Sequence, residues 1–265
     1  MPKVRVIGPG RAGLSLARAL GSAGWDVAGL LGRGDDATGA AAGVDVLVIA
    51  TPDDAVGRVA ASVAPRPSTV VMHLSGALGL DVLDPHPQRA SMHPLVPLPD
   101  AGTGARRLPG ATFAVAGHPM ARRMADALGG RVVEIDEAGR AAYHAAACMA
   151  ANHVVALLGQ VERVASTVGL GLTDFLGLTR AALEDVERLG PRGALTGPAA
   201  RGDWATLRRH HDALDPDERG AYAAGVALAM RLAQGTPAPA AAPPPGPSRE
   251  QVGPAAASAG IPVAV

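Results

Sequence analysis

A glycine pattern near the start of the sequence is the first stretch whose residue types and spacing suit a particular chemistry. The apolar run at residues 4–7 leads into G-P-G-R-A-G, and an Ala/Leu-rich helical pattern follows from Leu14. In such a strand-turn-helix context, G-x-G-x-x-G is typical of dinucleotide binding. Gly8 permits the tight turn, Gly10 lets the backbone approach a pyrophosphate, and Gly13 lets the helix pack closely. The helix N-terminus offers free N–H groups to phosphates; the alternative is a sharp turn that binds no ligand.

The end of the second predicted strand bears on which dinucleotide is bound. An NAD enzyme usually ends this strand with Asp or Glu, which bonds the ribose hydroxyls. Here the strand at 26–31 ends in G-R-G, with Arg33 in the middle and acids only afterwards at Asp35 and Asp36. An arginine can pair with a 2′-phosphate through its fork of donors. The pattern favours NADP(H), although Asp35 keeps NAD(H) open and Arg33 is alternatively a solvated loop residue.

The loops after the third and fourth predicted strands lie at the same sheet edge as the glycine turn. The strand at 44–51 ends in T-P-D-D, where we interpret Asp53 as a helix cap rather than a catalytic acid. The strand at 69–74 ends in H-L-S-G and places His73 and Ser75 at the edge where α/β sheets bind ligands. The candidate cofactor-binding residues are therefore Gly8, Gly10, Arg11, Ala12, Gly13, Arg33, Thr51 and Pro52.

The first helix of the second half carries candidate catalytic residues. Cys148 and Asn152 are four residues apart and share a helix face, whereas Tyr143 is predicted to point to the opposite side. Asn152 suits a hydrogen bond to a substrate carbonyl or carboxylate. His144, or His93 on the proline-broken run after the fourth strand, suits a proton donor, because the ordinary histidine pKa lies near the working pH. The alternatives are an asparagine and a histidine that only join helices, with Cys148 as a small core residue.

A second polar stretch, L-T-G-P-A-A-R-G-D at 195–203, separates two long helical patterns. Arg201 suits a two-pronged clamp on a substrate carboxylate, and Thr196 adds a hydroxyl. The alternative is a simple helix-helix turn with Asp203 as the N-cap of the next helix. We expect both, so the candidate substrate-binding residues are Ser75, Thr196 and Arg201.

Composition limits the classes of function. The 265 residues carry a formal net charge of zero, which argues against a nucleic-acid partner. The single cysteine excludes an intrachain disulfide and a multi-cysteine metal site, and the eight histidines show no spacing such as H-E-x-x-H, so we expect no metal. We find no apolar stretch that spans a bilayer and no signal peptide, and therefore expect a cytoplasmic protein without a membrane partner.

The order of predicted elements gives an α/β fold: a Rossmann-type parallel sheet domain followed by an all-helical C-terminal domain. We place the dinucleotide-binding domain at residues 1–137 and the helical domain, for substrate binding and dimerisation, at 138–234. The Ala/Pro-rich tail at 235–265 is predicted to be disordered. The long alanine-rich helices offer flat apolar faces, so we expect a homodimer.

Five motifs together resemble a known family: G-P-G-R-A-G, A-T-P-D-D, H-L-S-G, Y-H-A-A-A-C-M-A-A-N and L-T-G-P-A-A-R-G-D. From residue 3 to about 233 the chain resembles the family that pairs a Rossmann-like domain with a C-terminal domain of unknown function. It is more distantly similar to pyrroline-5-carboxylate reductase, 6-phosphogluconate dehydrogenase-like proteins and deazaflavin-dependent NADP reductases. It also resembles the alternative (PanG-type) ketopantoate reductases.

The resemblance implies NADPH as the cofactor, a small-molecule substrate between the domains, and reduction of a small oxo acid, foremost 2-dehydropantoate to pantoate. The alternatives are an imine reductase of the pyrroline-5-carboxylate reductase type and an NADP(H)-binding regulator without turnover. The match has one gap. The usual ketopantoate reductases and β-hydroxyacid dehydrogenases place a lysine one turn before an asparagine on the corresponding helix. If Asn152 is that asparagine, Cys148 takes the place of the lysine, and His144, a water or an already protonated imine must supply the proton.

Overall fold

The computed structural model describes residues 1–235 and contains a seven-stranded sheet in the order β2-β1-β3-β4-β5-β6-β7. Adjacent strands are parallel except for β5 and β6. This arrangement confirms the predicted α/β, Rossmann-type parallel sheet. The strands are β1 (Lys3–Ile7), β2 (Asp26–Leu31), β3 (Val46–Ile49), β4 (Val70–His73), β5 (Arg89–Pro94), β6 (Thr112–Gly117) and β7 (Arg131–Glu134).

Helices connect the strands and then form the rest of the described chain. Those around the sheet are α1 (Arg11–Ser22), α2 (Asp53–Ser62), α3 (Ala101–Arg107) and α4 (Met120–Ala127). Those that follow are α5 (Arg140–Cys148), α6 (Val154–Ser166), α7 (Leu172–Ala194), α8 (Pro198–Arg201), α9 (Trp204–Ala213) and α10 (Pro216–Gln234). Within the described residues no strand follows β7, as the helical periodicity of the second half predicts.

The central strands are apolar at nearly every position because both faces of the sheet are covered. All four residues of β3 are buried, and they alternate between two cores. Val48 packs with Leu16 of α1 and Phe113 of β6 on one face. Leu47 packs with Val56 of α2 on the other face. Burial on both faces fixes the strand order, and the strand order fixes which loops meet.

The carboxyl ends of β1, β3, β4 and β5 lie side by side at one edge of the sheet because these four strands are parallel neighbours. Ile49 is paired with His73, and His73 is paired with Ser91, two residues before His93. Neighbouring strands are about 4.8 Å apart, so roughly 15 Å separates the end of β1 from the end of β5. The candidate residues that follow these four strands in the sequence therefore lie along this edge.

The fifth strand lies in the proline-broken run that contains His93. It ends at Pro94, because Pro94 and Pro97 lack the N–H that a sheet ladder requires. The carboxylate of Asp100 then accepts hydrogen bonds of 2.8 Å from the backbone N–H groups of Gly102 and Thr103. This N-cap begins α3, a helix that the periodicity did not predict.

The chain divides into two compact units, Met1–Leu158 and the residues from Gly159 onward. The predicted boundary at residue 137 follows the last strand closely. The boundary between the two compact units lies further along the chain, after Leu158. It does so because α5 packs on the sheet unit, where the side chain of Arg140 is buried and Tyr143 bonds His93. Sequence periodicity detects the change from strand to helix but does not detect which unit a helix packs against.

The continuous helix Arg140–Ser166 contains a π-helical turn at Met149–His153, between α5 and α6. In a π turn each hydrogen bond spans five residues, so the turn contains more residues than an α-helical one. A helical wheel drawn at 3.6 residues per turn therefore loses its phase across this segment. The predicted shared face of Cys148 and Asn152 rests on such a wheel, and the structure leaves Cys148 half-buried and Asn152 exposed.

By length and composition alone, the same helix is apolar enough to cross a membrane, with a mean hydropathy of 1.3 over its most apolar window. No membrane-spanning stretch was expected from the sequence, because polar side chains interrupt the apolar residues of this helix. Its many alanine, valine and leucine residues nevertheless raise the average.

Helix α7 is interrupted near its end. Gly190 adopts φ 72° and ψ 164°, and Pro191 begins another helical turn. The one-turn helix α8 follows at Pro198–Arg201, where a loop was expected. The predicted N-cap is confirmed, because Asp203 accepts from the N–H of Thr206 at 3.1 Å. The next helix is capped in the same way by Asp215, which accepts from the N–H of Asp217 at 3.0 Å. The tail predicted at 235–265 lies, apart from Gly235, outside the described residues.

Candidate functional site

The glycine turn after β1 has the geometry of an anion cradle. Gly8 has φ 101°, and a Cβ there would lie 2.6 Å from the carbonyl oxygen of Ala50. A Cβ at Gly13 would lie 2.0 Å from the carbonyl oxygen of Gly8. Gly10 differs, because a Cβ there would meet no atom within 4 Å. The fold thus requires two of the three glycines, and the third leaves open space in front of the helix.

The groups around that space lack partners that a phosphate-bearing ligand would supply. Helix α1 begins at Arg11 after an N-cap, Gly10, that makes no side-chain hydrogen bond. The first N–H groups of the helix therefore face outward, together with the partial positive charge of the helix end. The side-chain oxygen of Thr51, in the loop after β3, is buried without a hydrogen-bond partner. These residues fit a dinucleotide.

In the turn after β2 the two acidic side chains bond the backbone of the turn, whereas the arginine side chain is exposed. The carboxylate of Asp35 accepts a hydrogen bond of 2.6 Å from the N–H of Gly32. The carboxylate of Asp36 accepts one of 2.8 Å from the N–H of Thr38, and this bond lowers the pKa of Asp36. Both acids are therefore engaged by the turn itself, whereas the side chain of Arg33 is exposed.

Ser75 ties the loop after β4 to the start of α2. Its hydroxyl donates to the carboxylate of Asp53 at 2.7 Å and accepts from the N–H groups of Ala77 and Leu78 at 3.1 Å each. The prediction that Asp53 caps α2 is wrong, because the N-cap is Pro52 and the Asp53 carboxylate bonds Ser75 instead. In this arrangement the hydroxyl of Ser75 has no free hydrogen for a substrate. Its hydrogen bonds stabilise the conformation of the loop.

A pair of imidazoles and a phenol lie directly above that loop. Nδ1 of His93 is 2.5 Å from the hydroxyl oxygen of Tyr143, and the two rings meet edge to face with centroids 5.7 Å apart. The rings of His93 and His144 are also edge to face, at 5.9 Å. A Cβ on Gly76 would lie 2.7 Å from Nδ1 of His144 and 2.9 Å from Nδ1 of His93. Only glycine therefore allows the two imidazoles to come this close to the loop.

Both nitrogens of His144 are enclosed. Nδ1 is buried without a hydrogen-bond partner, and Nε2 is 3.6 Å from the sulfur of Cys148. Cys148 is half-buried and belongs to this cluster instead of an apolar core. Within residues 1–235, no group of three or more His, Cys, Asp or Glu side chains is placed to hold a metal ion.

Burial favours the uncharged forms of His93, Tyr143 and His73. Burial, followed by the nearby His144 and Arg140, lowers the pKa of His93 to about 4, although the Asp53 carboxylate acts in the opposite direction. Burial raises the pKa of Tyr143 to about 12, an effect that the positive charge of Arg140 partly offsets. His73 is fully buried on β4, its Nε2 lies 3.1 Å from the carbonyl oxygen of Gly79, and burial lowers its pKa.

Three residues of this cluster were not among the candidates from the sequence. Tyr143 was expected to point away from the site because the site was placed on the face of Asn152, yet Tyr143 bonds His93. Arg140 is buried with contacts of 3.4 Å to Ser91 and Glu137. Gly76 was visible only as part of H-L-S-G. The adjacent Y-H pair at the start of the long helix is the one pattern from which the cluster was recognisable.

The remaining candidates are not brought into the cluster by the described structure. Asn152 is exposed in the π turn, and no hydrogen bond to its side chain occurs within residues 1–235. Thr196 and Arg201 belong to the second compact unit, where both are exposed beside or within α8. Their roles stay predictions.

Comparison with known proteins places the fold. Residues 112–228 match the family described as a domain of unknown function (DUF2520). No curated protein sequence gives a significant match to the chain. The chain is similar to the structure of BF3122 from Bacteroides fragilis, assigned as an NADP oxidoreductase, with 18% identity over 87% of this chain and 98% of that chain and a TM-score of 0.73.

Two further structures extend the likeness to other reductases. The reductive aminase of Aspergillus terreus, solved with NADPH4, cyclohexanone and allyl amine, has 15% identity over 88% of this chain and 99% of that chain, with a TM-score of 0.64. The pyrroline carboxylate reductase of Plasmodium falciparum, with NADP bound, has 14% identity over 88% of this chain and 98% of that chain, with a TM-score of 0.57. The shared fold confirms the predicted architecture, and the DUF2520 match confirms the resemblance over residues 112–228.

Substitution of Gly10 tests whether the open space in front of the turn is a ligand site. Since a Cβ there meets no protein atom, Gly10→Ala should cost less than about 1 kcal/mol of stability. The same methyl group would occupy the pyrophosphate position and should weaken NADPH binding at least about tenfold. Nucleotide titration and thermal unfolding measure the two effects. Gly39→Ala, at an exposed turn glycine that is equally open, should change neither, and an unchanged affinity in Gly10→Ala would contradict the cradle.

Proposed function

We propose that this chain is an NADPH-dependent reductase that adds hydride to a C=O or C=N group of a small molecule. The order of groups along one sheet edge carries the proposal. The glycine turn follows β1, Thr51 follows β3, Ser75 follows β4 and His93 lies near the end of β5. A dinucleotide with its pyrophosphate on the glycine turn would extend along this edge. Its other end would then lie toward the hydrogen-bonded His93–Tyr143 pair, roughly 15 Å away.

The residues of the cradle have distinct parts in holding the cofactor. The N–H groups of Arg11, Ala12 and Gly13 at the start of α1 would bind the pyrophosphate. The buried hydroxyl of Thr51 would gain the hydrogen-bond partner that it lacks. When bound, NADPH supplies the hydride, and the protein supplies orientation, exclusion of water and the proton. The NADP bound by the P. falciparum reductase of the same fold supports the choice of cofactor.

The turn after β2 supports NADPH over NADH. Asp35, the acid nearest the strand end, accepts the N–H of Gly32 and is thereby held in the turn. The exposed guanidinium of Arg33 has donors that match a 2′-phosphate. A carboxylate at this position would favour a ribose hydroxyl and repel the phosphate, so the engagement of Asp35 matters as much as the presence of the arginine.

For the substrate we propose a small oxo acid, first of all 2-dehydropantoate, which would be reduced to pantoate. The support is the resemblance to the alternative ketopantoate reductases in motifs that include H-L-S-G and L-T-G-P-A-A-R-G-D. Asn152 and Thr196 would orient the substrate through hydrogen bonds. Arg201 would hold the carboxylate with two parallel N–H bonds, a geometry that suits arginine better than lysine.

A cyclic or open-chain imine is the second candidate substrate. The low pKa of His93 keeps this imidazole neutral at neutral pH, so it is a poor acid beside the proposed hydride site. An imine that is protonated in solution arrives with its own proton and needs less acid catalysis than a ketone. The reductive aminase and the pyrroline carboxylate reductase that share this fold act on such compounds, as their names state.

We further propose that the protein is a homodimer joined through its helical unit. The described part of this unit, taken by itself, has only Ala165 and Leu207 as buried apolar residues. Helices that expose this much apolar surface in water usually cover it with a partner, and a twofold dimer is the commonest closed arrangement. Its exposed large apolar side chains include Leu178, Leu183, Val186, Leu189, Trp204 and Leu228.

Turnover measurements decide the reaction. We expect NADPH oxidation with 2-dehydropantoate or, failing that, with a cyclic imine, and Asn152→Ala should lower kcat/KM about tenfold or more, since it removes a substrate hydrogen bond. The affinity for NADPH should stay unchanged in this variant. Tight NADPH binding without turnover on a panel of oxo acids and imines would contradict the reductase and favour a regulator.

Removal of Arg33 tests the cofactor preference. Arg33→Ala should weaken NADPH binding about 10- to 100-fold, the value of a charge-assisted hydrogen-bonded contact of about 1.5–3 kcal/mol. The affinity for NADH should change less than about twofold, because NADH lacks the 2′-phosphate. Arg66→Ala, at another exposed arginine of the sheet unit, should alter neither affinity. Equal losses for the two nucleotides would contradict the assignment.

Sedimentation tests the dimer. A charge placed on the exposed face of α7, in Leu178→Glu, should shift the equilibrium toward the monomer, because burial of an unpaired carboxylate in an apolar contact is unfavourable. Leu30→Glu makes the same change at an exposed leucine of the sheet unit and should leave the assembly unchanged. A wild-type monomer at micromolar concentration would refute the proposal.

A further inference from the structure

Within the proposed reductase, we infer that Tyr143 is the catalytic residue that delivers the proton, with His93 as its hydrogen-bond partner. The inference rests on the proposed function and extends it to a residue that the sequence patterns had set aside. The hydroxyl oxygen of Tyr143 lies 2.5 Å from Nδ1 of His93, at the sheet edge that also holds the glycine turn. Tyr143 is half-buried, so part of its side chain stays exposed while its hydroxyl has a protein partner in His93.

The two neighbouring histidines are poorer proton donors for different reasons. The titratable and charged groups that act on His93 are His144, Arg140, Asp53 and His73, and together with burial they hold its pKa near 4. About one His93 in a thousand is therefore cationic at pH 7. His144 fails by geometry, since one ring nitrogen is buried against Gly76 and the other faces the sulfur of Cys148.

The phenol retains a proton that it can give up during the reaction. In the tautomer that carries hydrogen on Nδ1, His93 donates to the oxygen of Tyr143, which leaves the O–H of Tyr143 free for the substrate. As the substrate carbon gains hydride from the cofactor, the O–H bond breaks and its proton moves to the substrate oxygen or nitrogen. The negative charge left on the phenolate is stabilised by the His93 N–H and by Arg140, one helical turn before Tyr143. A proton from water then restores the phenol.

Gly76 and Ser75 act as positioning residues for this pair. Any side chain at Gly76 would meet Nδ1 of His93 at 2.9 Å and displace it from Tyr143. Ser75 holds the loop that carries Gly76 through its bonds to Asp53, Ala77 and Leu78. The same serine therefore connects the loop beside the proposed cofactor to the proton donor.

The chain provides a matched control for the test. Its only other tyrosine, Tyr222, also bonds a histidine: its hydroxyl lies 2.8 Å from Nδ1 of His210, with the rings edge to face at 6.0 Å. Tyr143→Phe and Tyr222→Phe therefore remove the same atom from the same kind of pair. Only the first should lower kcat, by about 100- to 10,000-fold, the usual contribution of a positioned general acid. NADPH affinity should be unchanged in both.

Two readouts distinguish a proton donor from a structural tyrosine. With Tyr143 as the acid, wild-type kcat should stay flat from about pH 5 to about pH 10 and fall only as the phenol ionises. Spectroscopic titration of the phenols should show a transition near the pKa of about 12, and Tyr143→Phe should abolish it. Wild-type kcat in Tyr143→Phe, or a kcat that falls as a histidine deprotonates, would overturn the inference. Absence of turnover in the wild-type protein would instead overturn the reductase itself, and this outcome is visible before any variant is compared.

Discussion

The hydrogen bond from Ser75 to Asp53 holds together the two parts of the candidate site. Asp53 begins the helix after Thr51 and Pro52, and Ser75 begins the loop beneath the His93–Tyr143 pair. Two backbone N–H groups donate to the same hydroxyl, so the loop moves only if three hydrogen bonds break. A hydrogen bond to a charged group contributes about 1.5–3 kcal/mol. These contacts hold the loop beneath the His93–Tyr143 pair to the start of the helix beside the glycine turn before any ligand binds.

Charge explains why the cluster contains so many groups that stay neutral. Arg140 is a buried cation whose two side-chain contacts are both long, at 3.4 Å. A second cation beside it would lack compensation in a poorly solvated environment, so burial and Arg140 together keep His93 unprotonated. The β-hydroxyacid dehydrogenases that the sequence resembles place a lysine on the corresponding helix. With Cys148 in place of that lysine, the site contains Arg140 as its buried cation, and the proposed proton donor is a phenol.

The long helix begins in the first unit and ends in the second, and its packing and its helical geometry change along its length. Its first turns pack on the sheet and carry Arg140, Tyr143 and His144, whereas the π turn at Met149–His153 changes the direction in which later residues point. The family match at residues 112–228 begins in the sheet unit and ends in α10, so it includes this whole helix. The residues that match the family thus include this helix as well as the last strands of the sheet.

The sequence by itself determined the fold class and the nucleotide cradle. Both follow from local patterns: continuous apolar runs give buried parallel strands, and G-P-G-R-A-G after a strand needs only its own backbone to form the turn. The caps at Asp203 and Asp215 were equally predictable, since a cap depends on residues three positions away at most. Only the tertiary structure decided that Tyr143 meets His93 and that Ser75 bonds Asp53. These contacts join residues on different elements, and their geometry depends on strand order and on the space at Gly76, neither of which a short sequence window contains.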